Sequence, residues 1–267
     1  MTIRNTIIML AAIIALAVSP GSRAWAGLAV TPAYVVLELD KGRPAGTFLV
    51  RNTSTTEERF RINAVHFNIS ERGAYTIKKP EQDQLGAWIR FNPKELVLPP
   101  QSERKVRFVV APRGKVQPGE YHAAMELESL RVNTSTTKSQ GRTFSLNTLT
   151  SILVPIFAQS GEVIYSAEPK GVQAVLINGR AFIQGGIMNT GTANLIIEAR
   201  YVIRDMSGNV VNEGFLGRNH VLPGNLRIFS TNIPEELAGG KYEFQVDFIS
   251  DKLDSSLTEV AEVDWDK

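Results

Sequence analysis

The sequence predicts an all-β protein: two antiparallel β-sandwich domains in tandem, behind a removable leader. Three observations predict it. Beyond residue 26, apolar residues recur at every second position and helical spacing is nowhere sustained. Turn signals such as PPQS, QPGE, MSGN and LPGN cut this pattern into short strands, as antiparallel sandwiches require. A set of landmarks in the first half recurs in the same order in the second.

The first 26 residues differ from the rest. Arg4 lies in a short positive start, Ile7 to Val18 is an almost unbroken apolar run, and Ala24-Trp25-Ala26 has the small-x-small form of a signal-peptidase site, so cleavage is expected after Ala26. About 12 apolar residues are too few for a helix to cross a ~30 Å bilayer at 1.5 Å per residue. No second apolar run of spanning length follows, so the mature chain is expected to be exported without a membrane span. The chain contains no cysteine, which removes disulfides, thiol chemistry and thiolate metal sites. Burial alone must hold it together, which two sandwiches of ordinary size can achieve.

The formal charge of +2 falls to about zero once Arg4 and Arg23 leave with the leader, which argues against a nucleic-acid partner. The distribution is uneven. Residues 27–160 hold 18 Lys and Arg against 12 Asp and Glu, and residues 161–267 hold 9 against 15, excesses of +6 and −6. Such an asymmetry concerns partners and attraction between parts, not fold.

Individual strands follow in order. FRINAVHF places Phe60, Ile62, Ala64 and His66 on one face, KVRFVV places Val106, Phe108 and Val110 on one face, and YHAAMEL does so with Tyr121, Ala123, Met125 and Leu127. RVNTSTTKSQGR, Arg131 to Arg142, is the longest polar stretch and is expected as a loop between two strands. AQSGE, Ala158 to Glu162, ends an apolar strand in Ser-Gly, which sets the expected domains at 27–160 and 161–267.

The repeated landmarks are Asn52, Pro99 and Tyr121, then Asn189, Pro223 and Tyr242, separated by 47 and 22 residues in the first set and by 34 and 19 in the second. Each set reads as a strand ending in a polar Asn-Thr turn, a Pro turn before the next strand, and a Gly-led strand entering with an aromatic. Asn and Thr side chains bond to backbone where a ladder ends. The alternative is that any two sandwiches share Asn, Pro and Gly at their turns.

Chemistry is sparse. His66, His122 and His220 each stand singly in or beside a strand pattern with no ligand-like partner at metal-binding spacing, so they are read as structural. There is no Gly-rich phosphate loop, Gly-x-Ser-x-Gly or His-Glu-x-x-His. No catalytic residue, cofactor or metal is expected, and the chain is not expected to be an enzyme. What remains is binding through strands, where an exposed edge accepts a partner segment by backbone pairing.

VTPAYVVLELDKG, TFLVRNTS, WIRFNPKELVLPPQSERKVRFVV, PGEYHAAMEL and ILVPIFAQ, in that order, resemble the N-terminal immunoglobulin-like domain of the periplasmic pilus-assembly chaperones over Leu28 to about Ser160. The resemblance implies a periplasmic protein that caps pilus or surface subunits by lending them a strand. It further implies protein subunits as partners, with an outer-membrane usher as another candidate. In that family an Arg in the first strand and a Lys near the end of the last anchor a subunit carboxylate. Here Tyr34 and Pro155 stand at those positions; a phenol donates one hydrogen bond without neutralising charge, and proline donates none.

The lending strand implied by the resemblance runs Phe144 to Pro155, with Phe144, Leu146, Thr148 and Thr150 as its alternate residues. Two of these four are small and half polar, so each fills a pocket less well than a bulky apolar residue, by roughly 1–2 kcal/mol. The other parity, Ser145, Asn147, Leu149 and Ser151, is more polar still. The second half looks like a general bacterial immunoglobulin-like module. Two readings follow: a chaperone-like protein binding extended subunit segments, or an envelope structural or adhesive module that keeps the sandwich and lends no strand.

Overall fold

The computed structural model describes residues 27–131, 133–139, 142–148, 150–177, 180–233 and 237–265. The expected signal peptide, residues 1–26, lies outside them.

The first half builds two facing sheets. One has the order β1 (Leu28–Thr31), β3 (Ala45–Asn52), β8 (Glu103–Val110) and β6 (Ile89–Asn92). The other has the order β2 (Val35–Glu38), β12 (Ser151–Ser160), β9 (Gly119–Ser129), β4 (Glu58–Ile69) and β5 (Tyr75–Lys78), with β7 (Glu95–Leu98) also paired to β4. All these ladders are antiparallel except β2 with β12, which is parallel. One short helix, α1 (Leu85–Trp88), carries Trp88 against Tyr121 with ring centroids 5.1 Å apart.

The second half repeats the arrangement. β13 (Ala167–Ile177), β14 (Arg180–Asn189) and β17 (Leu226–Asn232) form one sheet, and β16 (Val210–Val221), β15 (Leu195–Asp205), β18 (Gly240–Ile249) and β19 (Leu257–Trp265) the other. The order β1-β3-β8 thus matches β13-β14-β17, and β12-β9-β4 matches β19-β18-β15. Among the described residues no sheet mixes strands from the two halves.

Burial follows the alternation. Val106, Phe108 and Val110 are buried in the first core while Lys105, Arg107 and Val109 between them are exposed, and Ala123, Met125 and Leu127 enter the same core from β9. Each fully buried Phe or Leu stabilises the sandwich by about 1.5–3 kcal/mol relative to leaving it in water. Gly46 lies opposite Phe108 in the β3–β8 ladder, and a Cβ there would run into the Phe108 ring. Glycine is therefore required by close approach.

β4 departs from simple alternation. Phe60, Ile62 and Ala64 enter the first core as expected, but Val65, Phe67 and Ile69 on the opposite parity are buried as well. The second half covers them: with Ala124, Phe157, Leu222 and the half-buried Leu153 they form an apolar cluster between the halves. A strand with both faces covered loses its period.

The two landmark asparagines have the same local role. Asn52 and Asn189 are fully buried at the ends of β3 and β14. Nδ2 of Asn52 donates to Thr56 O at 2.7 Å and Leu98 O at 3.0 Å, and Oδ1 accepts the Ser54 amide at 2.9 Å. Nδ2 of Asn189 donates to Ala193 O at 2.8 Å and Val221 O at 2.7 Å, and Oδ1 accepts the Gly191 amide at 2.9 Å. Both tyrosine hydroxyls donate to the carbonyl four residues earlier, Tyr121 to Gln117 and Tyr242 to Ala238. Gly119 and Gly240 open their strands at φ 134° and 150°.

The polar stretch Arg131 to Arg142 is not only a loop. β10 (Asn133–Ser139) and β11 (Arg142–Thr148) pair antiparallel as a ribbon that follows on from β9 and precedes β12. A ribbon with no sheet behind it has no core to impose apolar alternation, and its Thr-rich composition suits an extended backbone.

Candidate partner-binding edge

The edge is assembled from two consecutive strands. β12 pairs with β9 along its whole length, from Ser151 opposite Glu128 to Ser160 opposite Gly119. Its other side is covered by β2 only from Ile156, opposite Val35, to Gln159, opposite Glu38. β11 pairs with β10 alone. Among the described residues, the outer side of the chain from Arg142 to Pro155 therefore has no partner strand.

Five of the six candidate residues, Phe144, Leu146, Thr148, Thr150 and Pro155, lie along this stretch, and the sixth, Tyr34, stands just before β2. Phe144, Leu146 and Thr148 occupy alternate positions of β11, opposite Thr137, Ser135 and Asn133. Thr150 lies between β11 and β12, and its carbonyl accepts the Ser129 amide at 2.9 Å. On β12 the even positions Ile152, Val154 and Ile156 join the first core, whereas Leu153 and Phe157 turn to the junction between the halves. Tyr34 and Pro155 are the next positions of the β2–β12 ladder, one step beyond its terminal pair. Each immediately precedes the first paired residue of its strand, Val35 or Ile156, at the end of the open edge.

Arg131 secures the foot of the ribbon. Its amide donates to Ser129 Oγ at 3.2 Å, and its Nη1 donates to Thr56 Oγ1 at 3.0 Å and lies 3.6 Å from Glu58 Oε1. Ser151 Oγ donates to Glu126 Oε1 at 3.0 Å across the ladder.

Beyond Tyr34 the edge meets a cavity of about 340 Å³ between the halves, lined in part by Tyr34, Glu38, Glu120, Phe157, Tyr165 and Lys252. Glu120 is held on both oxygens: Oε1 accepts the Asn194 amide at 2.7 Å and Oε2 accepts Gln159 Nε2 at 2.9 Å. Burial pushes its pKa up, and these two hydrogen bonds pull the other way. Lys252 is the one cation in the lining, with its Nζ 5.6 Å from the Tyr165 ring centre. The surroundings of Tyr34 do not supply the paired cations of a carboxylate anchor.

Histidines line the same junction. His220 packs on Tyr34 with ring centroids 5.3 Å apart and on Phe157 at 5.1 Å, and its Nδ1 accepts from Asn194 Nδ2 at 2.9 Å. His122 lies 5.0 Å from His66 and 5.1 Å from Phe67, and its Nε2 donates to Phe67 O at 3.0 Å. Burial holds both His122 and His220 down to about 4, with His66 adding to the effect on the first and Arg218 on the second. Sequence reasoning did not find Glu120, Asn194, Tyr165 or Lys252; contacts between distant positions leave no local period.

Among the described residues no group of three or more His, Asp or Glu is placed to hold a metal, and no helix is long and apolar enough to cross a membrane.

No family model and no curated protein matches the chain. The solved structures it is similar to are fimbrial and pilus chaperones. The complex of CsuC with the tip adhesion subunit CsuE, from the Csu pili of Acinetobacter baumannii, matches at 13% identity and a TM-score of 0.47 over 88% of this chain and 97% of that chain. The E. coli chaperone DraB matches at 16% identity and 0.42 over 88% and 98%. The Pseudomonas aeruginosa CupB2 chaperone matches at 11% identity and 0.42 over 87% and 98%.

Proposed function

We propose that this is a periplasmic chaperone-like protein, exported and cleaved after Ala26, whose two domains, 27–160 and 161–267, present a strand edge to pilus or surface subunits. Binding is by β-strand addition along Phe144 to Pro155, with no catalysis and no cofactor. One observation carries this reading: among the described residues, the outer side of β11 and of β12 up to Pro155 has no partner strand, although β2 covers the same side of β12 from Ile156 onward. An open edge of that length offers backbone donors and acceptors to an extended segment. The order of the five segments resembling the chaperone family adds support, and an outer-membrane usher is a further partner the resemblance suggests.

The test is capture of a subunit-like protein from a periplasmic extract by the mature chain, beside a Phe144→Asp, Leu146→Asp form whose fold is checked by circular dichroism. Capture by the first and not by the second, with amide exchange slowed at 142–155 in the complex, supports the reading. Equal capture by both removes it.

A second reading, an envelope structural or adhesive module, is favoured by one observation. Neither Tyr34 nor Pro155 is a cation, and Tyr34 shares its cavity with the half-buried carboxylate of Glu120. On that reading neither form captures a subunit.

A further inference from the structure

The unequal charge of the two halves is concentrated on particular sheet faces. The outward positions of β3, β8 and β6 carry Arg51, Lys105, Arg107 and Arg90, with Glu103 the one acid in the same rows, and all five are exposed. Arg90 is held by its own carbonyl neighbours, Ala87 O at 2.9 Å and Ile89 O at 3.2 Å. None of these four cations makes an ion pair among the described residues.

The opposite sign appears on β18 and β19. Their outward rows set Glu243 directly opposite Glu262 and place Asp264 opposite Lys241 and Asp247 opposite Thr258. Like charges facing each other across a ladder repel. Arg204 relieves Glu243 at 3.5 Å, and Asp247 accepts Thr258 Oγ1 at 2.6 Å, whereas Glu262 and Asp264 are exposed and make no ion pair among the described residues.

Both faces point away from the junction. The polar and ring contacts between the halves come from Tyr34, Asp40, Ile69, Glu71, Glu120, Phe157 and Gln159 on one side and from Gly161, Tyr165, Asn194, His220, Asn225, Arg227 and Ile228 on the other. None involves β3, β6, β8, β18 or β19 among the described residues, so the faces are free to meet those of another molecule.

We propose that the chain associates with a second copy of itself by laying the basic face of β3, β8 and β6 of one molecule on the acidic face of β18 and β19 of the other. The occupant is a second copy because both complementary faces belong to one chain and their charge excesses have opposite sign. Contacts between exposed charges are weak and salt-sensitive, so association is expected at low ionic strength and lost when the Debye length shrinks. The open edge of β11 and β12 takes no part, and the proposal does not depend on subunit binding.

Sedimentation of the mature chain at about 10 mM and about 500 mM NaCl is the test, since the screening length falls from ~30 Å to a few ångström across that range. The expected result is a species larger than the monomer at low salt and the monomer value at high salt. Lys105→Glu with Arg107→Glu, or Glu262→Lys with Asp264→Lys, gives the monomer at low salt. All four changes in one chain restore the larger species at unchanged net charge. A monomer at both salts overturns the proposal. So does a control on an unrelated surface, Lys78→Glu with Lys79→Glu, if it dissociates the species as fully as the face variants. Loss of the larger species in the Phe144→Asp, Leu146→Asp form would assign it to edge pairing instead.

Discussion

Glu120 and Asn194 are joined across the two halves: the Glu120 carboxylate accepts the Asn194 backbone amide at 2.7 Å while also holding Gln159. A half-buried acid of the first sandwich thereby satisfies a donor at the entrance to β15 of the second. Removing it leaves that amide without its acceptor, whereas Gln159 Nε2 keeps its bond to the Tyr165 hydroxyl at 2.9 Å. Glu120→Ala is expected to cost about 1 kcal/mol, the low end of the penalty for stranding a polar group, because the site is only half-buried. Urea denaturation gives the loss, and faster proteolysis at residues 161–166 shows that it falls at the junction. An unchanged midpoint would mean that water replaces the carboxylate without penalty.

The histidines of the junction make stability depend on pH. In the unfolded chain each takes a proton near its ordinary value of about 6.5, whereas in the folded protein His122 and His220 resist protonation down to about 4. Between those values the unfolded state binds more protons. Stability is therefore full above pH 6.5 and falls as pH drops through this window, by up to about 1.4 kcal/mol per pH unit for each histidine. Denaturation midpoints across the window check the slope, and His122→Gln with His220→Gln should flatten it.

Asn52 and Asn189 predict paired effects. Each side chain both accepts and donates from a fully buried position. Asn→Asp keeps the acceptor and loses the donor, leaving Leu98 O or Val221 O facing a carboxylate. Either change should cost at least the ~1–3 kcal/mol of an unsatisfied buried group, measured by thermal or urea unfolding. Ser54→Ala, which removes a hydroxyl bonded to Asn52 Oδ1 at 2.7 Å and leaves the Ser54 amide bond intact, should cost less.

Gly46→Ala tests the close approach of β3 to the Phe108 ring. Overpacking of this kind costs about 1–3 kcal/mol. If the ring is the obstacle, Phe108→Leu should lose less stability in the Gly46→Ala background than alone, which a double-mutant cycle reads directly.

Arg227 offers a contrasting case. Its guanidinium is buried against the Glu71 carbonyl, with Nη1 at 3.3 Å and Nε unpartnered, and burial lowers its pKa. The Glu71 carbonyl also accepts the Ile228 amide at 2.8 Å, so it stays satisfied without the arginine. Arg227→Met should change stability by less than about 1.5 kcal/mol, because a buried charge with few partners contributes little net. A larger loss by urea denaturation would show that the guanidinium bond holds the halves together.

The strands are legible where one side of a sheet is wet. Val106 and Phe108 alternate with Lys105 and Arg107 because the latter face solvent, and the period survives in the sequence. The repeat is legible because a strand end sealed by one asparagine needs that residue type in each sandwich. β10 is not legible, since it pairs only with β11 and has no core to alternate against; the β-branched Thr134, Thr136 and Thr137 are its residual signal. The second buried face of β4 is hidden for another reason: its cover, Leu222, arrives from the far half of the chain. Of the candidate site, the alternation of Phe144, Leu146 and Thr148 follows from strand period, whereas the acid and histidine surroundings of Tyr34 come from contacts no period records.

The parallel pairing of β2 with β12 from Val35 and Ile156 has a mechanical meaning. Any strand sliding along the edge from the ribbon runs into the end of β2 and can go no further. Under the proposed strand addition, β2 would thus act as an end-stop. A guest's alignment would be indexed by where the backbone runs out of room, leaving the choice of register to length rather than to charge.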